Sequence, residues 1–583
     1  MNFLMNKFTL IIGGLLFGLI VSSYLSSVIF FLLSDYDPNS AMPWSIWFYL
    51  FSYSIEPKLI ISLIIPHILL IFFIAKMLIK KEPEFGDARW ANWQDINEAG
   101  LFKQKGLLLG KYKGKYLVSD SPTHAMIIAP TRSGKGTGLV IPNLLNWEDS
   151  VICLDVKHEN YKFTAGFRKS CGHKVFMWSP FDQNLKSHRY NPLDAVSKDP
   201  HQKINDLKII GKILIPDPTH GDKFWTSEAR TLFVGLMLYV MGNSDMPSTI
   251  GSIYRLLGTE EDLGDIARHI VKTHKELPLT GKKTLMNFAN KAAKERSGVK
   301  SNLSEAINLW DSEVVDAATS ASDFSIADLR KQRMAIYVGV LTGQIATLTP
   351  LLRIFFEQVI TIMSLKEPDK TEPYKVMMMM DEFHLLGEMA SMTTAFTLLA
   401  GYNCRVVAVT QGLNWVDVAY GQQKRNGILS CCAHQIFYSA NDLETATYIS
   451  NSCGEETIET VSTSQRQSFG YEPPSKNKIF KARPLITKDK AKRIAKTEAI
   501  IITESSFPIK AKKIHFQDKD FEGRVLPAPE IPTLEMMHNE IPEFDIPDKK
   551  TLEKQKPDPN QTNMFESKNN DTIPKNLTDE LDD

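Results

Sequence analysis

The chain has 583 residues and carries 67 basic against 67 acidic side chains, so its net charge is zero. That balance argues neither for nor against a nucleic-acid partner; any such contact has to come from how the charge is distributed. The six cysteines (Cys153, Cys171, Cys404, Cys431, Cys432 and Cys453) contain no C-x-x-C pair, which indicates neither a zinc site nor a disulfide framework and suits a reducing environment for the main body.

The first element is apolar. "FTLIIGGLLFGLIVSSYLSSVIFFLL" (Phe8–Leu33) has no charged residue and, at about 1.5 Å per residue, is long enough to cross a hydrocarbon core of about 30 Å. A cleaved signal peptide is the rival reading, but its apolar region runs to only about 7–15 residues. A second run, "LIISLIIPHILLIFFIA" (Leu59–Ala75), follows, so residues 1–80 read as a membrane anchor with two transmembrane helices, about 8–33 and 59–77. Lys7 precedes the first span, and Lys76, Lys80, Lys81 and Arg89 follow the second. Asp35, Asp37, Glu56 and one base, Lys58, lie between. The positive-inside rule puts both ends and the bulk of the chain in the cytoplasm.

Next, "LLLGKYKGKYLVSD" (Leu107–Asp120) alternates around Gly114 as a hairpin does, and "HAMIIAP" (His124–Pro130) is a buried strand. "APTRSGKGTG" (Ala129–Gly138) then approximates G-x-x-x-x-G-K-[S/T], a loop whose amides curl round phosphates while its lysine reaches the outer ones. Ala129 replaces the first glycine, Gly136 stands where a magnesium-binding hydroxyl belongs, and Thr137 comes one residue later. A helix opening at Gly138 would face its N-terminus to the anion. Thr131, Arg132, Ser133, Gly134, Lys135, Gly136, Thr137 and Gly138 are the candidate nucleotide contacts.

Two further strand-like runs, Ser150–Tyr161 and His173–Pro180, complete the first α/β part, 81–199. Residues 200–330 show helical periodicity and read as an all-α insertion. Its basic stretch, Val271–Lys300, fits contact with DNA phosphates or an acidic segment, and equally a solvated helix face. Strand runs return at Arg333–Val340, Lys375–Glu382, Cys404–Gln411 and His434–Ala440, giving a second α/β part, 331–525. Residues 526–583, rich in Pro, Asp, Asn and Lys, read as a disordered tail.

In "VMMMMDEFHLLG" (Val376–Gly387) four methionines suit a strand buried on both faces, which delivers Asp381 and Glu382 to its carboxyl end, where ligands of open α/β sheets bind. Asp381 is the candidate magnesium ligand and Glu382 the group that orients or deprotonates water. Gln411 ends the next strand. It suits contact with the terminal phosphate or the water, or else satisfies a loop backbone. About 245 residues separate Lys135 from Asp381, more than an average domain, in keeping with an insertion.

Nine stretches in order carry a resemblance: "FGDARWA", "APTRSGKGTG", "LDVKHENY", "RYNPLD", "DKFWTSEAR", "MDEFHLLG", "VTQGLNWVDVAYG", "NDLETATYIS" and "RPLI". The sequence resembles the coupling proteins of type IV secretion systems, of the TraG/VirD type. The resemblance implies a RecA-like P-loop NTPase domain with an inserted all-α domain thought to contact substrates. It further implies an inner-membrane ATPase using ATP and magnesium and assembling as a homo-hexamer. The implied partners are secretion channel components, DNA, and relaxase–DNA complexes or protein effectors. Relatives commonly carry the same Gly136 form of the loop, which makes Thr137 the candidate hydroxyl on magnesium. His158 departs from the glycine usual at its position. A trans-acting arginine, placed in some relatives in a Gly-Arg-x-Ala-Gly stretch, is absent there, and Arg405 is the nearest substitute. An FtsK-type DNA pump shares the motor fold, but the two short spans, the large insertion and the lack of a C-terminal winged-helix pattern argue against it.

Overall fold

The computed structural model describes residues 2–52, 54–78, 85–218, 222–464, 475–504, 506–536 and 543–544. Three helices come first: α1 (Asn2–Leu33), α2 (Ser45–Ser52) and α3 (Pro57–Leu78). Phe30, Phe31, Ile46 and Leu59 pack together, and Ser27 Oγ accepts the Ile46 N–H at 2.9 Å near the start of α2, a helix with no counterpart in the sequence reading. Pro66 lies inside α3 without ending it. Among the described residues, three helical segments could by length and composition cross a membrane: Gly13–Leu33, Pro57–Ile74 and Thr342–Ser364. The third buries Leu348, Leu351, Leu352, Phe355 and Phe356 in the protein core, which is where a soluble amphipathic helix puts its apolar face.

After these come α4 (Trp93–Glu98), the antiparallel pair β1 (Leu107–Tyr112) and β2 (Lys115–Ser119), and β3 (His124–Ile128). Lys113 and Gly114 both take positive φ, as a tight two-residue hairpin turn requires. A π-helical turn, Gly136–Val140, leads into α5 (Ile141–Asn146), followed by β4 (Ser150–Val156), α6 (Glu159–Ser170) and β5 (Lys174–Trp178).

The described residues from there to β6 (Met334–Val340) hold no strand. They form α7 (Pro200–Leu214), α8 (Phe224–Gly242), α9 (Ile250–Leu257), α10 (Leu263–Thr273), α11 (Leu279–Ala289), α12 (Ala293–Ala306) and α13 (Glu313–Ala318). Alternation then resumes with α14 (Ile345–Ser364), β7 (Val376–Met380), α15 (Ala390–Leu398), β8 (Cys404–Thr410), α16 (Leu413–Ser430), β9 (Cys432–Phe437) and α17 (Leu443–Ser452). The chain continues through β10 (Glu455–Ser464), β11 (Ser475–Pro484), α18 (Lys488–Lys492), β12 (Glu498–Thr503) and β13 (Ile509–Lys512).

By compactness the chain divides into residues 1–87 with 456–483, and 88–455 with 484–583. The first unit holds the three N-terminal helices and nearly all of the two-stranded sheet β10-β11. The second is built on an eleven-stranded sheet in the order β2-β1-β13-β12-β9-β3-β8-β7-β4-β6-β5. From β9 to β5 every pairing is parallel, and from β9 outward through β12, β13, β1 and β2 every pairing is antiparallel.

The parallel part is buried on both faces, and the methionine strand shows it residue by residue. Met378 and Met380 enter one core with Ile152 and Leu154; Met377 and Met379 enter the other with Val151 and Cys153. The first of these cores runs on into the helical stretch through Phe233, Leu256, Ile270, Leu285 and Leu303, so α7 to α13 share one hydrophobic interior with the sheet.

The tail expectation needs correction at its start. Residues 526–536 are laid on the domain: Tyr161 donates its hydroxyl proton to Pro529 O at 2.9 Å, Ser187 N–H donates to Pro532 O at 3.1 Å, and Leu534 is buried. Gly166 permits the approach, since a Cβ there would lie 2.2 Å from Pro527 O. A proline-rich strap with few large side chains is held by its carbonyls, and that escapes a reading based on apolar content. Most of the remaining tail expectation lies outside the described residues.

Candidate active site

Three carboxyl ends of parallel strands meet here. β8 lies between β3 and β7, so the loop after β3 reaches across the end of β8 to the end of β7. Lys135 donates to Glu382 Oε1 and lies 3.9 Å from Asp381 Oδ1, while Gln411 Nε2 donates to the same Glu382 oxygen at 3.1 Å. Lys135, Asp381, Glu382 and Gln411 are thus gathered into one cluster.

The loop itself is shaped by backbone conformation. Gly134 has φ 85° and Arg132 φ 59°; the first is natural for glycine and the second is a left-handed residue held by its surroundings. Ser133 Oγ donates to Pro130 O at 2.6 Å, and Thr137 Oγ1 donates to Gly134 O at 3.3 Å. Thr131 and Arg132 are exposed, whereas Gly138 is buried. A Cβ at Gly136 would meet nothing within 4 Å, while one at Gly138 would lie 2.6 Å from Tyr438 Oη and 3.1 Å from Ile514 O. Gly136 therefore faces open space, and Gly138 is needed for packing.

Left-handed non-glycine residues surround the cluster. Glu382 has φ 57°, Lys157 φ 90° and His158 φ 61°. The conformation at 158 is one that glycine adopts freely. His158 fits because Gly339 leaves room for its ring: a Cβ on Gly339 would be 2.8 Å from His158 Nε2. Asp155 accepts the backbone N–H groups of Asn160 at 3.1 Å and Tyr161 at 2.7 Å, so it caps the start of α6.

The electrostatics follow from burial. Asp381 is raised above its ordinary range by burial, with Lys135 pulling the other way; Asp155 is pushed up to about 7 by burial. Burial lowers Lys135, partly offset by Asp381. Asp381 Oδ1 and Glu382 Oε2 are buried without a hydrogen-bond partner, an arrangement that suits a cation or a water held between them.

Sequence reading missed three groups. His384, held neutral with its pKa down to about 4 by burial and then by Lys135, lies 3.3 Å from Thr410 Oγ1 and 3.7 Å from Glu382 Oε2. Lys513 donates to the Ser133 carbonyl at 3.0 Å and sits 3.8 Å over the Tyr438 ring. Phe516 N–H donates to Thr137 O at 2.9 Å. The strand that brings in Lys513 and Phe516 is β13, far along the chain and without a motif. Arg405 stands apart: it is buried at the amino end of β8, about 20 Å of extended strand from Gln411. In the basic stretch, Lys291 is bridged to Glu228 and Glu295, and Arg296 to Asp262.

A glycine-bearing loop between a parallel strand and a helical turn, opposed by an Asp-Glu pair two strands away, is the architecture of the P-loop NTPases, here of the RecA-like kind. Solved structures agree in fold. The plasmid coupling protein TrwB in complex with the non-hydrolysable ATP analogue ADPNP matches with TM-score 0.55 at 16% identity, over 79% of this chain and 99% of TrwB. TrwB in complex with ADP and Mg2+ matches at 0.50 and 15%, over 78% and 97%. The sequence profile of the type IV secretory system conjugative DNA transfer family matches residues 89–539, and the chain belongs to that family. Protein VirD4 of Rhizobium rhizogenes is 32% identical over 449 residues, 75% of this chain and 66% of that protein. VirD4 of Agrobacterium fabrum is 32% identical over 442 residues, 74% and 65%. Conjugal transfer protein TraG of Escherichia coli is 26% identical over 506 residues, 76% and 79%. The matched segment spans just under two thirds of the VirD4 relatives' own length.

Proposed function

We propose that the protein is an inner-membrane ATPase that recruits relaxase–DNA complexes or protein effectors to a type IV secretion channel and couples ATP hydrolysis to their transfer. The observation that carries it is the convergence of Lys135, Asp381, Glu382 and Gln411 at neighbouring strand ends, in a chain of this family.

The donor set fits a nucleoside triphosphate with magnesium: loop amides and Lys135 for the phosphates, Asp381 and Thr137 for the metal. Magnesium, when bound, neutralises charge on the outer phosphates. Lys135 exchanges its carboxylate partners for phosphate oxygens. Glu382 then orients a water and accepts its proton, and Gln411, bonded to the same carboxylate oxygen, reports what stands beside it to α16. The helices between β5 and β6 form the substrate-contacting insertion of this reading, and both termini lie in the cytoplasm. A hexameric ring completes the assembly, with an arginine supplied in trans. The buried position of Arg405 at the far end of β8 gives that residue no support for the role.

ATP turnover by a version beginning near Phe85, with and without single-stranded and double-stranded DNA, tests the proposal. Turnover that rises with DNA and vanishes in Lys135→Ala and Glu382→Gln is expected. A folded, nucleotide-binding protein that never turns over would instead be a receptor whose nucleotide only stabilises assembly.

A further inference from the structure

Arg405 is a buried cation that the nucleotide site does not use. The residue is 3% exposed. Nη1 donates to Ser119 O at 3.3 Å, the guanidinium carbon lies 5.7 Å from the Trp147 ring centroid, and Nε is buried without a partner. A cavity of about 170 Å³ opens beside it, lined among others by Lys105, Asp120, Trp147, Glu148, Asp149 and Lys375.

The carboxylates of that wall already have cations. Asp120 is 3.3 Å from Lys103, Glu148 is 2.8 Å from Lys105, and Asp149 is 3.5 Å from Arg333. Among the described residues, Arg405 and Lys375 are the two cations of the cavity that form no ion pair. Burying a guanidinium without an anion is costly, and burial holds Arg405 down to about 10 even though Asp120 acts to raise it. An oxyanion bonded to the guanidinium from the cavity side would return that cost.

We propose that this cavity, at the amino ends of the parallel strands, is a binding site for a free phosphate ion, held by Arg405 and reached by Lys375. The cavity has room for a phosphate ion. The site is separate from the nucleotide loop but tied to it. Trp147 caps the carboxyl end of α5, the helix that follows the loop, and Arg405 is the second residue of the strand that ends before Gln411.

The phosphate loop would itself take phosphate, so the test is made in full-length protein carrying Lys135→Ala, in detergent. Thermal unfolding is followed as inorganic phosphate is added at constant ionic strength, with chloride as the control. The expected result is a saturable rise in Tm with phosphate, abolished by adding Arg405→Met and shifted to about tenfold higher concentration by Lys375→Met. Equal responses to phosphate and chloride would overturn the proposal, as would a phosphate response that survives Arg405→Met. If Arg405→Met does not fold, an unchanged titration in Lys375→Met overturns it. A short oligonucleotide serves as the other arm: a shift from the oligonucleotide but none from inorganic phosphate would assign the site to backbone phosphates and overturn the free-ion assignment.

Discussion

Glu382 ties the chemistry to the backbone. It leaves β7 in a left-handed conformation, costing of order 1–3 kcal/mol, and so turns its carboxylate toward Lys135 and Gln411. Glu382→Gln keeps the shape but removes the proposed base and the ion pair. Its kcat should fall by about 10² to 10⁴, while nucleotide affinity is kept or improved because Lys135 is released. Phosphate release and titration with a fluorescent nucleotide read the two quantities separately; equal loss in both would mean that Glu382 serves binding. Lys513 makes a second case. Burial lowers it to about 8 from an ordinary 10.5, so the folded state binds fewer protons than the unfolded state between those values. Stability therefore rises with pH across that window. Denaturant midpoints at pH 7.5 and 9.5 should show wild type gaining on Lys513→Met; parallel behaviour of the two proteins would remove Lys513 from the account.

Among the elements, α6 joins the site to the C-terminal strap. Asp155 caps its first turn beside Asp381, and the bare backbone of Gly166 receives the carbonyls of Leu526 and Pro527. Gly166→Leu puts a side chain into those carbonyls and should cost about 1–3 kcal/mol, with proteolysis appearing near residue 526 before the core is cut. An unchanged unfolding midpoint would show that the strap is not packed there. The strap also marks the limit of what the sequence discloses. Strands buried on both faces announced themselves as unbroken apolar runs, which is why β3, β4, β7 and β8 and the residues at their ends were legible. β12 and β13 were not. β13 alternates buried and exposed positions over only four residues, too few for a period to stand out. Besides pairing with each other, β12 pairs with β9 and β13 with β1, far off in sequence, so Lys513 on the phosphate loop could be seen only in the fold. Arg405 was legible as a residue but not in its place, because its distance along the chain from Gln411 is short while the extended strand carries it to the opposite end of the sheet.

At the scale of the whole molecule the question is which side of a membrane each part occupies. Between Leu33 and Leu59 the chain carries Asp35, Asp37, Glu56 and only Lys58, against Lys7 before this stretch and Lys76, Lys80, Lys81 and Arg89 after it. Basic residues are retained on the cytoplasmic side, so the turn around Ser40 should face outward while the unit bearing the phosphate loop stays inside, where ATP is. Ser40 is exposed between α1 and α2, and Cys171, also exposed, reports on the opposite side. In intact cells producing the Ser40→Cys protein, a thiol reagent that cannot cross membranes should label the introduced thiol and leave Cys171 untouched until the cells are opened. Labelling of Cys171 in intact cells would invert the topology, and an ATP-driven reading could not survive that. Protection of both thiols would mean that the turn does not cross, and that Gly13–Leu33 and Pro57–Ile74 return to one side as a re-entrant pair.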